Sequence, residues 1–413
     1  MEYNVKSDKK YKIAIISDYF QPRLGGIESH VKDLATTLAS NGHKVRLVTS
    51  TFDYSTHNTK AVKLFETHHI AEKQNGYYVD RIFTKLPANF PYAFYSSEHI
   101  KAIIQDADIV HIHVGVISPF SQQAVKIAQD MGKPVVVTWH CVLGALKTYC
   151  KYCLGVKKWV ERGAVMTAVS TCHAKQLEET FSLPFEVLPN AINVQEWAKG
   201  QRLDENKNNS ETLVRICASM RFTFRKRVLQ LVRIMSKVDR QLKEYNKLNA
   251  TYCTVNGESF TPKDFTLDLY GNGTLTPVVK MLIKIYGLEN KVFLRGRKTK
   301  QELKTSYHNK DIYVVTCLTE SFGIAALEAR TAGLPIVARK NTGVSDFVLD
   351  DVNGKLCEND EEMVEEICNL IMQNSLREEI KNTNTMLSPT QDWNTVYEQT
   401  ISYYEKAITN IQS

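Results

Sequence analysis

The run Arg221-Phe222-Thr223-Phe224-Arg225-Lys226-Arg227 packs four cations into seven residues directly after an apolar stretch that ends near Ser219. At the C-terminal end of a parallel strand such side chains point into a ligand crevice, where Arg and Lys can neutralise a leaving diphosphate. A solvated basic loop fits the same residues. Farther along, Glu320-Ser321-Phe322-Gly323-Ile324-Ala325-Ala326-Leu327-Glu328 follows the apolar run Ile312-Tyr313-Val314-Val315 and reads as the opening of a helix. Carboxylates at this spacing would share a helix face at about 12 Å. That is wider than the roughly 5–5.5 Å of a retaining hydrolase pair, and it suits gripping two parts of one extended ligand. Backbone amides near Phe322 and Gly323 would face a diphosphate at the positive end of the helix. The plainer reading is a solvated glutamate pair on an amphipathic helix.

Pro22-Arg23-Leu24-Gly25-Gly26-Ile27-Glu28 joins an expected strand to an expected helix. Two glycines there leave backbone N–H groups uncovered at a helix N-terminus, where the dipole favours phosphate. The spacing is neither a P-loop nor GxGxxG, and an ordinary tight turn fits equally well. His140 ends the apolar run Val135-Val136-Val137-Thr138-Trp139 and can be a site residue or an ordinary strand-end histidine. His111 and His113 alternate on one expected strand and so face the same side. With no third histidine or carboxylate beside them in sequence, they are expected to line a core or cleft rather than hold a metal. Cys150 and Cys153 form a CxxC pair, but no second pair follows at finger spacing.

The elements that must position these groups alternate along the chain. Strands are expected at Lys12–Ser17, Lys44–Thr49, Ile109–His113, Pro134–His140 and Val165–Ser170, with helices between them. A second series has strands at Leu213–Ala218, Phe265–Tyr270, Lys291–Leu294, Asp311–Val315 and Leu334–Ala338, and helices starting near Lys226, Thr274, Lys300, Ser321 and Asp360. This βαβ rhythm implies parallel sheets covered by helices on both faces. The polar stretch 199–211 reads as a linker. The expected architecture is therefore α/β, two Rossmann-like domains facing each other across a cleft. Between a helix ending near Val238 and the strand at Phe265 the rhythm breaks, and a β-hairpin around Asn256-Gly257 is expected.

Of the 413 residues, 43% are hydrophobic and 23% charged, which excludes a disordered chain. No apolar run approaches the roughly 20 residues of a membrane span, and the opening residues lack the apolar core of a secretory signal. Nine scattered cysteines suit a reducing compartment. A soluble, cytoplasmic protein is expected. The net charge of +7 permits attraction to anionic lipid or a phosphorylated substrate without demanding it. No nucleic-acid motif accompanies it.

Gly25-Gly26 after the first strand, Pro189-Asn190-Ala191-Ile192-Asn193, Arg221 with Lys226, Gly271-Asn272-Gly273, and Glu320 with Glu328 fall in an order that resembles the retaining glycosyltransferases of family 4, which have the GT-B fold. The resemblance covers nearly the whole chain. Ser17-Asp18-Tyr19-Phe20 and Gly25-Gly26-Ile27-Glu28-Ser29-His30 are similar to phosphatidylinositol glycosyltransferases of the GPI-anchor and mannoside type. The resemblance implies an N-terminal acceptor-binding domain over 1–198, the linker at 199–211 and a nucleotide-sugar-binding domain over 212–388. It also implies that residues 389–413 form a helix returning to the N-terminal domain.

The resemblance further implies that Glu328 binds the ribose, that Glu320 faces the donor sugar, and that Arg221 and Lys226 grip the diphosphate. Ser321 and the amides of Phe322, Gly323 and Ile324 would add to donor binding, as would Gly25, Gly26, Gly271 and Gly273, with base contacts from the turn at Arg297. His140 resembles the family's histidine near the transferred sugar. No Asp-x-Asp motif sits at a strand end, and the family implies catalysis without a cofactor or a metal. A hexose or N-acetylhexosamine would move from a UDP- or GDP-sugar to a hydroxyl acceptor, which could be lipid-linked or contain inositol, with retained configuration. A nucleotide-sugar epimerase or another GT-B enzyme is the alternative. Arg227 departs from the family, which usually has Gly after the lysine, and this leaves the geometry of the loop open. On the acceptor side, Leu86–Tyr95 is rich in aromatic residues and proline, and Lys147–Arg162 interleaves cations with aromatics. The latter suits either peripheral contact with an anionic membrane or an ordinary amphipathic helix.

Overall fold

The computed structural model describes residues 9–23, 25–52, 65–84, 93, 96–200, 212–256 and 260–412. The chain divides into two compact units, the first formed by Met1–Ala191 with Gln391–Ser413 and the second by Ile192–Thr390. The division falls at Ala191, seven residues before the expected boundary at 198, and residues 201–211 of the expected linker lie outside the described residues.

The first unit is built on strands β1 (Lys12–Ser17), β2 (Lys44–Thr49), β3 (Thr67–Gln74), β4 (Tyr77–Thr84), β5 (Ile109–Val114), β6 (Val135–Trp139), β7 (Val165–Ala168) and β8 (Glu186–Val187). They lie in the order β3-β4-β2-β1-β5-β6-β7-β8, parallel except for the antiparallel pair β3–β4. Helices α1 (Gly26–Ser40), α2 (Ser97–Ile104), α3 (Pro119–Asp130), α4 (Lys147–Cys153), α5 (Val156–Glu161) and α6 (Thr171–Phe181) complete the crossovers. Near-continuous apolar runs such as Ile13-Ala14-Ile15-Ile16 form central strands because both faces of a parallel sheet are covered. Val31, Leu34, Ala35 and Leu38 of α1 recur at helical spacing and are buried.

The second unit carries β9 (Leu213–Ser219), β10 (Asp264–Tyr270), β11 (Val292–Gly296), β12 (Ile312–Val315), β13 (Ile336–Arg339) and β14 (Gly354–Cys357), in the order β11-β10-β9-β12-β13-β14. Every pairing there is parallel. Its helices are α7 (Val194–Ala198), α8 (Val228–Asn256), α9 (Thr276–Ile285), α10 (Lys300–His308), α11 (Ile324–Thr331), α12 (Asp360–Met372) and α13 (Asn374–Met386). The final helix α14 (Trp393–Gln412) belongs to the first unit, where Val396, Ile401, Tyr404 and Ala407 join the core that contains Ile13, Val31 and Leu47.

Each sheet has one point where the strand order reverses, between β1 and β5 in the first unit and between β9 and β12 in the second. Ligands of doubly wound sheets bind beyond the C-terminal strand ends at such points. The loops that leave β1, β9 and β12 there carry Gly25–Gly26, Arg221–Lys226 and Glu320.

The segment before Phe265 differs from the expectation. Instead of stopping near Val238 and giving way to a hairpin, α8 continues unbroken to Asn256. Its continuation contains neither Gly nor Pro, so nothing local ends it. Asn246 ties the returning chain to it, donating from Nδ2 to the carbonyl of Lys263 at 2.8 Å and accepting from the Lys263 amide at 2.9 Å. A hairpin does occur at another Asn-Gly, Asn75-Gly76, where φ values of 42° and 88° make the turn between β3 and β4. Among the described residues no helix is long and apolar enough to cross a membrane.

Candidate functional site

The basic loop of the second unit leaves β9 at Ser219 and forms a 3₁₀ turn over Phe224–Lys226. Its backbone is laced to the loop after β10. Met220 N donates to Tyr270 O at 3.0 Å, Phe222 N to Asn272 O at 2.9 Å and Leu275 N to Phe222 O at 3.1 Å. This close approach requires Gly271 and Gly273. A Cβ on Gly271, whose φ is +126°, would lie 2.0 Å from the Met220 carbonyl oxygen, and one on Gly273 would lie 2.5 Å from that of Phe222. The two glycines therefore shape the loop that presents Arg221, an exposed side chain, and Lys226. Arg297 reaches the same place, its Nε donating to Asn272 Oδ1 at 2.9 Å.

Lys226 Nζ donates to Glu320 Oε2 at 2.5 Å, with both side chains mostly buried. Two groups from loops 94 residues apart in sequence thus meet at the reversal of the second sheet. The structure also accounts for Arg227. Its φ of +55° lies in the left-handed region that favours glycine. Its guanidinium is directed toward the start of α12. It binds Asp360 through Nη1 at 3.0 Å and Nη2 at 2.8 Å, and Nη1 also donates to the Thr316 carbonyl at 3.1 Å. Asp360 accepts from Arg339 and Gln230 as well. These cations hold its carboxyl below the usual carboxylate range against the opposing effect of burial, which is the largest single influence.

Glu320 and Glu328 do not share a helix face. Helix α11 starts only at Ile324, so Glu320 and Ser321 precede it in the loop from β12. Gly323, at φ +95°, turns the chain into the helix, and a Cβ there would meet Val344 Cγ2 at 2.8 Å. Phe322 is buried with its ring 5.5 Å from that of Phe347, anchoring the loop. The Gly343 amide donates to the Glu320 carbonyl at 2.8 Å. Glu328 lies within α11 and is buried.

In the first unit, α1 begins after Gly25 with no side-chain cap, which leaves the amides of its first turn open to an anion. Glu28 in that turn pairs with Arg23 at 3.3 Å. Asp18, two residues after the preceding strand residue Ile16, accepts the Phe120 and Ser121 amides of α3 at 3.1 and 3.0 Å, and burial raises its carboxyl to about 6.

His140 follows β6 and is buried among other histidines. Its Nε2 lies 2.8 Å from His113 Nδ1, and the ring of His30 from α1 lies 5.4 Å away. The expectation that His111 and His113 lack a third histidine is corrected, because folding brings His30 and His140 to His113. One ring nitrogen from each of His30, His113 and His140 lies within 4.8 Å of the others, a donor set of the kind that holds zinc or a similar cation. The His113–His140 hydrogen bond, however, already uses one nitrogen of each ring. Burial lowers His30 to about 3 and, with neighbouring histidines adding to it, drives His113 and His140 well below the ordinary value, so all three are neutral at pH 7.

Helix α14 supports this cluster with aromatic residues. Trp393 stacks on His30 at 5.4 Å, Tyr397 Oη lies 2.9 Å from His43 Nε2, and Tyr404 Oη lies 3.0 Å from His111 Nδ1. On the surface of the same unit, α4 and the preceding turn expose Leu146, Tyr149 and Tyr152 beside Lys147 and Lys151. Of the other acceptor-side segment, 86–95, all but Ala93 lie outside the described residues.

The structure thus brings Lys226 to Glu320 and the Gly271–Gly273 turn to the Arg221 loop, all in the second unit with Arg297, Ser321, Phe322, Gly323, Ile324 and Glu328. Gly25, Gly26 and His140 lie in the first. Sequence reasoning missed Asp18, His30 and the role of Arg227. The glycine usual in the family at the Arg227 position was the available signal for a left-handed turn, and the contacts of His30 depend on a helix packing against strands β5 and β6.

Two family patterns fit the chain, the one described as Glycosyltransferase Family 4 over residues 24–196 and the one described as Glycosyl transferases group 1 over residues 201–385. The phosphatidylinositol N-acetylglucosaminyltransferase GPI3 subunit of Saccharomyces cerevisiae is 23% identical over 420 residues, covering 98% of this chain and 84% of the yeast protein. A glycosyltransferase from Rickettsia africae has a similar structure, with a TM-score of 0.69 and 17% identity, covering 97% of this chain and 99% of that one. Anabaena Alr3699/HepE in complex with UDP and glucose gives a TM-score of 0.65 at 16% identity, covering 95% and 98% of the two chains.

Proposed function

The chain belongs to the family 4 glycosyltransferases of the GT-B fold, and from that premise we propose that it moves a hexose or N-acetylhexosamine from a UDP- or GDP-sugar to a hydroxyl acceptor with retained configuration. The observation that carries the reading is the meeting of Lys226 and Glu320 at the strand reversal of the second unit. A cation held against a carboxylate there is placed to exchange that partner for a donor diphosphate.

In this reading Arg221 and Lys226 take the diphosphate charge as it develops on the leaving group, in place of a divalent metal. The amides of Phe322, Gly323 and Ile324 add donors at the start of α11. Glu320, released by Lys226, accepts hydroxyls of the sugar, and Glu328 accepts those of the ribose. Ser321 and the Arg297 turn complete donor binding. The uncapped helix start at Gly25 and Gly26 is the first unit's anion-binding feature, and His140 is its sugar-facing group. No side chain of the set is assigned as a covalent nucleophile. The departing phosphate takes the acceptor proton in a same-face substitution, while the protein contributes positioning and charge stabilisation.

The acceptor is proposed to be an inositol-containing glycolipid precursor, a reading supported by the yeast relative's name. Tyr149 and Tyr152 beside Lys147 and Lys151 support peripheral contact with the cytoplasmic face of an anionic membrane. Flotation with phosphatidylserine vesicles at low salt tests that part, and failure to float removes it.

The central test incubates the purified chain with UDP-, GDP- and ADP-sugars without acceptor and measures released nucleotide. Release from one donor, lost in Glu328→Ala, is the expected result. If no donor is hydrolysed and no free nucleotide raises the melting temperature, the donor site is wrongly placed.

A further inference from the structure

His140 is buried to 5% exposure, and its ring chemistry depends on which nitrogen carries the proton. Its Nε2 is committed to His113 Nδ1 at 2.8 Å. The direction of that bond follows from what the other nitrogen of His113 can do. His113 Nε2 is fully buried without a hydrogen-bond partner.

His111 cannot serve it, because both nitrogens of His111 are engaged. Its Nε2 lies 2.7 Å from Thr138 Oγ1, which in turn lies 2.7 Å from Thr167 Oγ1. Its Nδ1 lies 3.0 Å from Tyr404 Oη. His30 offers no partner either, since its Nδ1 is likewise buried and unbonded.

If His140 donated from Nε2, the neutral His113 would carry its proton on Nε2, as a buried N–H with no acceptor. Orphaned buried N–H groups are rare in folded proteins. With the proton on His113 Nδ1, that N–H is satisfied by His140. Among the described residues His140 Nδ1 has no hydrogen-bond partner, and unlike His30 Nδ1 and His113 Nε2 it is not sealed from solvent.

We propose that His113 is a positioning residue that donates from Nδ1 to His140 Nε2, fixes His140 as the tautomer protonated on Nδ1, and makes that N–H the donor His140 offers to a sugar oxygen. The assignment of the ligand rests on the glycosyltransferase reading above, whereas the tautomer itself does not.

The test is long-range ¹H–¹⁵N correlation of the histidine rings in the full chain labelled with [¹⁵N]histidine, with the His140 signals identified by their loss in His140→Gln. The expected wild-type pattern has Nδ1 of His140 protonated and Nε2 bare. His113→Asn keeps an N–H donor and is expected to retain that pattern. His113→Phe removes the donor and is expected to shift His140 toward the Nε2–H form. In donor hydrolysis His113→Phe should lower kcat about 10-fold with donor KM nearly constant, and His113→Asn should restore most of it.

A wild-type His140 protonated on Nε2 would overturn the proposal. So would a cobalt(II) absorption band that requires His30, His113 and His140 together, since it would make the cluster a metal site. An unchanged kcat in a His113→Phe protein whose His140 tautomer has switched would overturn the donor role. Absence of any donor hydrolysis would count against the glycosyltransferase reading, and the ring spectra would still decide the tautomer.

Discussion

Lys226 Nζ and Glu320 Oε2 lie 2.5 Å apart, although the loops that carry them leave different strands. Breaking this pair should show two different effects. Lys226→Ala removes a positive charge at the developing diphosphate and should lower kcat for donor hydrolysis about 100-fold. Glu320→Ala leaves the lysine in place, so affinity for free nucleotide diphosphate should be kept or increased while turnover falls. Steady-state kinetics and calorimetric titration with UDP and GDP separate the two. Equal loss of nucleotide affinity in both variants would refute the exchange of partners.

Arg227 sets a stability order. Arg227→Ala loses the bidentate Asp360 pair and keeps the left-handed backbone, which should cost about 2 kcal/mol. Arg227→Gly loses the same pair but relieves the backbone, and should cost about 1 kcal/mol less than the alanine variant. Urea unfolding should rank the wild type first, glycine second and alanine third. A glycine variant less stable than the alanine variant would contradict the assigned conformation.

Gly271→Ala places a methyl group 2.0 Å from the Met220 carbonyl oxygen, where backbone must move. Loss of about 2–3 kcal/mol is expected, with loss of the nucleotide-induced rise in melting temperature. Gly132→Ala, where a Cβ meets nothing within 4 Å, is the control for positive φ alone. Melting curves with and without UDP or GDP compare them.

The buried histidines make stability depend on acid. Burial pushes His30 and His111 down to about 3 and His173 to about 4, and His113 and His140 lie well below the ordinary value. In the unfolded chain these rings titrate near about 6.5, so below that pH the unfolded state binds more protons. Their contribution is complete above about 6.5 and is lost as pH falls toward the folded values. Asp18, raised to about 6, acts with the opposite sign, its contribution being present in acid and lost as pH rises through about 6. The melting temperature should therefore fall between pH 6.5 and about 4.5, and more steeply in Asp18→Asn than in the wild type. Calorimetry across that range checks both slopes.

Much of the scaffold was legible because buried parallel strands are short apolar runs between helical repeats. Lys12–Ser17 and Phe265–Tyr270 needed no tertiary information to be found. The site loops were legible for a related reason, because Arg221, Lys226 and Glu320 all follow such strands. Local signals failed where identical dipeptides had different surroundings. Asn75-Gly76 closes a hairpin because the segments on either side pair as the antiparallel strands β3 and β4, whereas Asn256-Gly257 follows eighteen residues of helix beyond Val238. The spacing of Glu320 and Glu328 suggested one helix face, but the left-handed turn at Gly323 starts the helix after Glu320. The convergence of His30 and His140 on His113 depends on contacts between elements and was not readable from spacing.

The place of α14 has a consequence for biosynthesis. The His111–Tyr404 contact spans 293 positions, and all of Ile192–Thr390 is synthesised between the two residues. The second unit can therefore mature on the ribosome while the first still exposes the apolar surface that Val396, Ile401 and Ala407 will cover.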